Sequence, residues 1–508
     1  MCRHKRHCAW FWNTAVQRWH VNAKVVWLVA VLAPAVGAAG ESVMDIGSRR
    51  ELFVDGALIE RFTADARLEL QRPLPQEVVF VTDRPWEGNT SAYFTIFQDG
   101  PRYRMYYRGS HFDEKSRRAT HPEVTCYAES RDGIHWTRPD LGLFEFAGSR
   151  QNNIVWAGPG THNFTPFLDT NPAAPPEARY KALAWGGPGR KHGLYAFQSP
   201  DGFRWKLMRD EPVITAGAFD SQNLAFWDTY RGQYRAYWRI FTEGVTTGGV
   251  WRPGGYRAIR TATSADFLHW APHADLAYDD PRAEHLYTNA IRPYERAPHL
   301  FIGFPTRFHP ERGEQVEPIF MSSRDGVHFR RFADPVIPVT APQDREGNRS
   351  NYMTWGLVRL PGDDRHWSVY ATEAYYRGPA GRLRRFTYRL DGFVSVRASQ
   401  GELVTRPLRF QGDRLSINYV APRGEVRVEI QDAAGKPLEG YRESQAVILQ
   451  GDAIDQIVRW EGGADVGRLA GQTVRLRFLL RNADLYSFVF CASSRQGGCP
   501  APTRSKGG

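Results

Sequence analysis

Glu129-Ser-Arg-Asp-Gly-Ile-His-Trp136 reads as a hairpin: an alternating strand, an Asp-Gly turn and the start of a second strand. Glycine supplies the positive φ that a tight turn needs, so Asp-Gly between two such runs is a strong hairpin signal. The phrase returns as Gln198-Ser-Pro-Asp-Gly-Phe-Arg-Trp205, Thr263-Ser-Ala-Asp-Phe-Leu-His-Trp270, Ser322-Ser-Arg-Asp-Gly-Val-His-Phe329 and Tyr388-Arg-Leu-Asp-Gly-Phe-Val-Ser395. Its aspartates, Asp132, Asp201, Asp266, Asp325 and Asp391, are spaced by 69, 65, 59 and 66 residues. An aromatic-rich strand precedes each turn, at 103–109, 180–187, 234–241, 300–308 and 367–375, and a strand with a polar start precedes each of those. Four strands in a unit of about 65 residues, repeated five times, predict a five-bladed β-propeller rather than a sandwich or a solenoid.

Outward from the repeat, the chain divides further. The phrase stops after Asp391, and residues 398–495 carry strands at 426–430, 457–460 and 474–479 with turns at Gly412-Asp413, Gly435 and Gly451-Asp452. They read as a C-terminal β-sandwich of roughly 95 residues, a usual domain size. The propeller spans 45–397, and the Gly-, Ser- and Pro-rich residues 496–508 read as a disordered tail. The fold class is all-β. Composition agrees: 42% hydrophobic and 24% charged residues suit a core-forming chain, and 16 Trp, 22 Tyr, 47 Gly and 33 Pro suit short strands joined by tight turns.

The first 39 residues read as a signal peptide. Arg3, Lys5, Arg6, Arg18 and Lys24 precede an apolar run over 25–36, and the small residues Gly37, Ala38 and Ala39 suit a cleavage site. The alternative is an uncleaved anchor, but the run is short for a bilayer span. The expected location is secreted or periplasmic, with no membrane insertion after cleavage. Removing those five basic residues from the 66 Lys and Arg leaves 61 against 55 Asp and Glu. That excess is spread rather than clustered, which excludes a nucleic-acid footprint. Cys126 reads as a buried free thiol, and Cys491 and Cys499 are close enough for one small disulfide. No Cys/His spacing matches a zinc site, and no cofactor is implied.

Polar residues at the start of each innermost strand converge on a propeller's axis, so chemistry is sought there. The five openings offer Trp86-Glu87-Gly88-Asn89, His162-Asn163, Asp220-Ser221-Gln222-Asn223, Glu284-His285-Leu286-Tyr287-Thr288-Asn289 and Asn348-Arg349-Ser350-Asn351. Carboxylates for acid/base work, amides and Arg for hydroxyls, and aromatics for sugar faces describe a saccharide site. An isolated Asp or Glu more often caps a turn or pairs with an Arg, and the five recurring turn aspartates are structural. Asp220 stands out because no turn requires it, and Glu284 does so less clearly. Trp86, Asn89, His162, Asn163, Gln222, Asn223, Tyr287, Asn289, Arg349 and Asn351 are the candidate substrate contacts. Glu373 is a reserve acid.

The five-blade plan, the inner-strand acids and the trailing sandwich resemble the arabinanase, levansucrase and invertase superfamily of glycoside hydrolases. Turn phrases of the Ser-x-Asp-Gly-x-x-Trp kind recur there. The resemblance implies a base or nucleophile at Glu87 or Asp55, a transition-state stabiliser at Asp220 and a general acid at Glu284. The invertase Asn-Asp-Pro-Asn-Gly, Arg-Asp-Pro and Glu-Cys signatures are absent, and Asp55 in Leu52-Phe-Val-Asp-Gly also fits a plain turn. The expectation is a secreted glycoside hydrolase with a carbohydrate substrate and two carboxyl groups flanking the bond. A non-catalytic carbohydrate-binding propeller and a glycoside phosphorylase are the alternatives, the latter favoured if several Arg line the pocket. Such propellers can hold an axial calcium, although no ligand motif here predicts one.

Overall fold

The computed structural model describes residues 43–186, 191–248, 250–339 and 350–493. The signal segment, Arg349, Cys499 and the 496–508 tail lie outside them. The chain is all-β, and four successive sheets are propeller-like, each an antiparallel ladder built from one repeat. The first joins Ala92–Asp99, Arg102–Gly109, Val124–Ser130 and Trp136–Thr137. The second joins Thr165–Leu168, Tyr180–Trp185, Leu194–Ser199 and Lys206–Leu207. The third joins Leu224–Asp228, Gln233–Val245, Arg252–Ser264 and His273–Asp275. The fourth joins Arg292–Tyr294, Ala297–Gly303, Gln315–Ser323 and His328–Pro335.

The shared turn phrase has one physical cause. In each of these four sheets the turn aspartate's Oδ1 accepts two backbone N–H groups, as Asp132 does from Ile134 at 2.9 Å and His135 at 2.8 Å. The preceding serine hydroxyl accepts the turn's own N–H, and the indole of Trp136, Trp205 or Trp270 donates back to the turn carbonyl. Three of the four turns are then gripped by a neighbouring sheet. Tyr106 Oη donates to Gly202 O at 3.0 Å, Tyr237 Oη to Gly326 O at 2.9 Å and Tyr370 Oη to Gly133 O at 2.7 Å. The apolar faces fuse into cores that run from sheet to sheet, with Phe226, Phe301, Met321 and Trp355 in one cluster.

The fifth repeat departs from the pattern. Its sheet has three strands, His366–Glu373, Arg382–Arg389 and the N-terminal Leu74–Val81. The expected innermost strand makes only two bridges, Met353 to Ala371 and Val358 to Ser368. Trp355 pairs instead with Thr95 of the first sheet, and Gly356 permits that approach, since a Cβ there would lie 2.9 Å from Ile96. Asp391 also differs from the other turn aspartates. It is fully buried and bound by Tyr294, Arg50, Arg296 and Ser487.

Residues 45–70, which the sequence pattern places in the propeller, pair with the C-terminal strands instead. Met44–Gly47 runs parallel to Leu408–Phe410, and Ile59–Ala64 and Arg67–Leu70 flank Val394–Thr405. These, the short Glu51–Leu52, Leu449–Ile457 and the long strands Arg414–Asp432 and Val474–Cys491 form one nine-stranded sheet. The cause is apolar: Ile46, Phe53 and Leu58 are buried with Phe478 and Phe488, the Phe53 ring lying 5.7 Å from that of Phe488. Cys126 is a buried free thiol and Cys491 is disulfide-bonded. No helix among the described residues is long and apolar enough to cross a membrane.

Candidate functional site

At the end of the propeller-like sheets where the inner strands begin, five repeats contribute to one cluster. A β-bulge between Ala92 and Thr95 holds Tyr93 at φ 56°, a strained conformation that turns its ring into the mouth. Tyr93 Oη donates to Asp220 O at 3.3 Å, and its ring lies 4.9 Å from the Arg108 guanidinium. Arg108 also approaches His162 Nδ1 at 3.1 Å and Glu123 at 3.4 Å, and donates to Tyr375 Oη at 2.9 Å. His162 Nδ1 lies 3.0 Å from Glu123. Asp220 is ion-paired with Arg239. Arg239 and Arg257 lie 5.1 Å and 5.4 Å from the Tyr287 ring, and Tyr352 links Tyr287 to Tyr375.

Exposure divides the roles. The side chains of Asp220, Glu123 and His162 are 34%, 31% and 30% exposed, whereas Arg239 and Arg108 are 2% and 4% exposed. The acids and the imidazole therefore face solvent, with guanidiniums behind them. Burial, then Arg108, pushes the His162 pKa down, so the ring is neutral at pH 7. Burial would raise Glu123, but His162 and Arg108 outweigh it and hold the carboxylate ionised. Burial and the neighbouring tyrosines push Tyr93 well up, so it stays a hydroxyl donor. A cavity of about 580 Å³ opens beside this cluster, lined by Glu123, His162, Trp185, His192 and Trp251. Trp251 is 50% exposed at the tip of the long third-sheet hairpin. A site with aromatic walls, ionised and neutral acid/base groups and fixed cations can bind a sugar ring and move a proton at its edge.

Of the residues singled out from sequence, the structure brings Asp220, His162 and Tyr287 to this mouth. Gln222 lies just beneath it, lining a void of about 20 Å³ with Tyr93, Tyr287, Tyr352 and Tyr375. The other acids are engaged elsewhere. Glu87 is buried and accepts from Tyr107 Oη at 2.5 Å and from Arg138 at 2.8 Å and 2.9 Å. Asp55 caps Ala57 N–H and pairs with Arg324 at 2.7 Å. Glu284 faces Arg307, Arg331 and Arg282 at 3.1–3.7 Å. Glu373 is buried against Arg384 at 2.6 Å.

Most of the amides serve the backbone. Asn89 bonds Phe112 and Gly378, Asn163 bonds Ser221 and Trp185, and Asn223 bonds Phe219 and Ser221. Asn289 bonds Ile291 and Gln222, and Asn351 the 337–338 carbonyls. Trp86 donates to Asn153.

Sequence reasoning missed Tyr93, Arg108, Glu123, Arg239, Arg257 and Tyr375. One signal was available: Tyr103-Arg-Met-Tyr-Tyr-Arg108 and Tyr234-Arg-Ala-Tyr-Trp-Arg239 share a pattern that ends an apolar strand on a buried cation. Among the described residues no group of three or more His, Cys, Asp or Glu is arranged to hold a metal ion.

No family model matches the chain. Two uncharacterized proteins from strains of Mycobacterium tuberculosis are each 25% identical over 202 residues, 39% of this chain and 55% of their own length. The chain therefore spans about half the length of the curated relatives it matches. Among solved structures, a beta-1,2-mannobiose phosphorylase from Listeria innocua, in complex with beta-1,2-mannobiose, aligns at a TM-score of 0.45 and 11% identity, covering 63% of this chain and 97% of its own. A glycoside hydrolase aligns at 0.40 and 10%, covering 81% and 100%. A glycosyl hydrolase from Bacteroides ovatus aligns at 0.38 and 14%, covering 67% and 93%.

Proposed function

We propose that this protein is a carbohydrate-active enzyme that cleaves a glycosidic bond at the mouth holding Tyr93, Glu123, His162, Asp220 and Arg239. The observation that carries the reading is convergence: a solvent-facing carboxylate backed by a buried guanidinium, a neutral imidazole and tryptophan walls, assembled from distant repeats. Asp220 is the general acid, protonating the leaving oxygen, in place of the stabiliser's part that the family resemblance assigned it. Glu123 is the base for an attacking water, and Tyr93 Oη and His162 orient sugar hydroxyls. The three-stranded sheet serves as the fifth blade, and the nine-stranded sheet folds over its core as the C-terminal sandwich. Residues 1–39 direct export.

A second reading is phosphorolysis, favoured by Arg108, Arg239 and Arg257 around a single exposed aspartate. Phosphate then replaces both water and the base, and guanidiniums are the groups that bind it. Product analysis separates the two. Incubation with a panel of oligosaccharides, with and without inorganic phosphate, yields free sugar independent of phosphate if water attacks. It yields sugar 1-phosphate, only with phosphate present, if phosphate attacks. Saturable sugar binding with neither product would overturn both and leave a binding propeller.

A further inference from the structure

A second cavity opens where the inner strands finish, at the opposite end from the mouth described above. It measures about 990 Å³, at the upper end of the ~300–1,000 Å³ typical of small-molecule sites. Its wall is aromatic, with Phe97, Phe226, Trp227 and Trp355, the last of which stacks on Phe226 at 6.3 Å and 12°. Arg292 stands in that wall, its guanidinium 5.6 Å from the Trp355 ring. Its Nη1 donates to Leu357 O at 3.3 Å, and its buried Nε has no acceptor. No carboxylate among the described residues comes within 4.0 Å of it. Five other inward-facing guanidiniums, those of Arg104, Arg239, Arg296, Arg331 and Arg384, each meet an acid, while Arg235 donates instead to Thr261 Oγ1 and Gly326 O and lines no cavity of this kind. Burial depresses the Arg292 pKa, and the charge of Glu295 offsets only part of that shift.

A guanidinium with no acid partner beside aromatic faces calls for a planar anion on a ring that offers C–H faces for stacking. The rim limits how much negative charge can enter. Glu295, Asp363 and Asp364 lie on it, and Asp363 is held by the N–H groups of Arg365 and His366. A chain of many anions is repelled there, while one carboxylate can reach Arg292 at depth. We propose that this cavity is a second saccharide site, in which Arg292 binds the carboxylate of a single uronic acid residue and Trp227 and Trp355 meet the sugar faces. The inference does not depend on what the other mouth cleaves.

Isothermal titration calorimetry on the full chain tests it, with a glucuronate-capped trisaccharide and its neutral counterpart as probes. The wild type binds the acidic probe saturably and in preference to the neutral one. Arg292→Met weakens the acidic probe by about 10- to 100-fold, the range for a charge-assisted hydrogen bond. Arg292→Lys restores part of the loss, and Asp220→Asn leaves the affinity unchanged. Trp227→Ala weakens both probes and gives a second readout if Arg292→Met does not fold. Equal affinity for the two probes, no saturable binding, or indifference to Arg292→Met would overturn the proposal. So would loss of binding in Asp220→Asn, or preference for a sulfated polyanion.

Discussion

Asp391→Asn takes one charge out of a buried hub that joins the last repeat to the C-terminal sheet. The carboxylate accepts from Tyr294 Oη at 2.6 Å and Ser487 Oγ at 2.7 Å, and meets Arg296 at 3.1 Å and Arg50 at 3.3 Å. Asp455 shares both guanidiniums, at 2.5 Å from Arg50 and 3.1 Å from Arg296. Two carboxylates thus balance two cations, and the amide leaves one positive charge unmatched in the interior. Removing one partner of a buried pair costs about 3–5 kcal/mol, and since Asp455 stays, the lower end, about 3 kcal/mol, is expected.

Acid titrates the same hub. Burial alone would raise the Asp391 pKa, but Arg296 and Arg50 outweigh it and hold it at about 2 against an ordinary 3.8. The folded-state value is the lower one, so this stabilisation is present above about pH 4 and is lost as pH falls through about 2. The difference is worth about 2–3 kcal/mol. Guanidinium chloride unfolding, followed by tryptophan fluorescence between pH 7 and pH 2, reads both effects. The variant should unfold at lower denaturant at pH 7, and the gap to wild type should narrow below about pH 4. A variant within about 0.5 kcal/mol of wild type at pH 7, or a gap indifferent to acid, would refute the reasoning.

Glu87→Gln should cost about 3 kcal/mol of stability by stranding Arg138, while the folded fraction keeps its activity; lost activity at unchanged melting temperature would return Glu87 to the chemistry. Tyr93→Phe deletes the hydroxyl that donates to Asp220 O, and kcat should fall about tenfold at unchanged melting temperature; full activity would leave the strained backbone at Tyr93 without a purpose. Cys126, buried and with its thiol pKa pushed well up by burial, should resist iodoacetamide until denaturant is added; labelling of the native protein would contradict that placement.

The repeat was legible because its turn chemistry is local. Ser and Asp two residues apart satisfy one another's hydrogen bonds and those of the turn, so Asp132, Asp201, Asp266 and Asp325 each announce the same hairpin, Phe267 taking the place of glycine in the third. Asp391 keeps the Asp-Gly pair but has Arg389 where the others have serine, and it answers to Arg50 and Arg296, whose proximity is tertiary. The irregularity of the fifth inner strand has a similar cause, since the pairing of Trp355 with Thr95 crosses between repeats. Residues 44–70 pair across more than 300 positions, which no local pattern reveals. At the site, strand openings located Asp220, His162 and Tyr287. Glu87 and Glu284 occupy equivalent sequence positions and, like Asp220, meet an arginine; what separates them is burial, their side chains being 0% and 14% exposed against 34% for Asp220. Arg108 and Arg239 went unseen because a cation ending an apolar strand looks like a strand boundary.

The central claim is that bond cleavage occurs at the mouth beneath Trp185 and Trp251, with Asp220 as its acid. The measurement that tests it most directly is the cleavage rate of the best oligosaccharide by Asp220→Asn beside Glu284→Gln, both confirmed folded. The account predicts a loss of about 10²–10⁴ for Asp220→Asn, the usual contribution of a general acid, and a rate near wild type for Glu284→Gln. An Asp220→Asn protein that cleaves as fast as wild type, or an equal loss in Glu284→Gln, would contradict it.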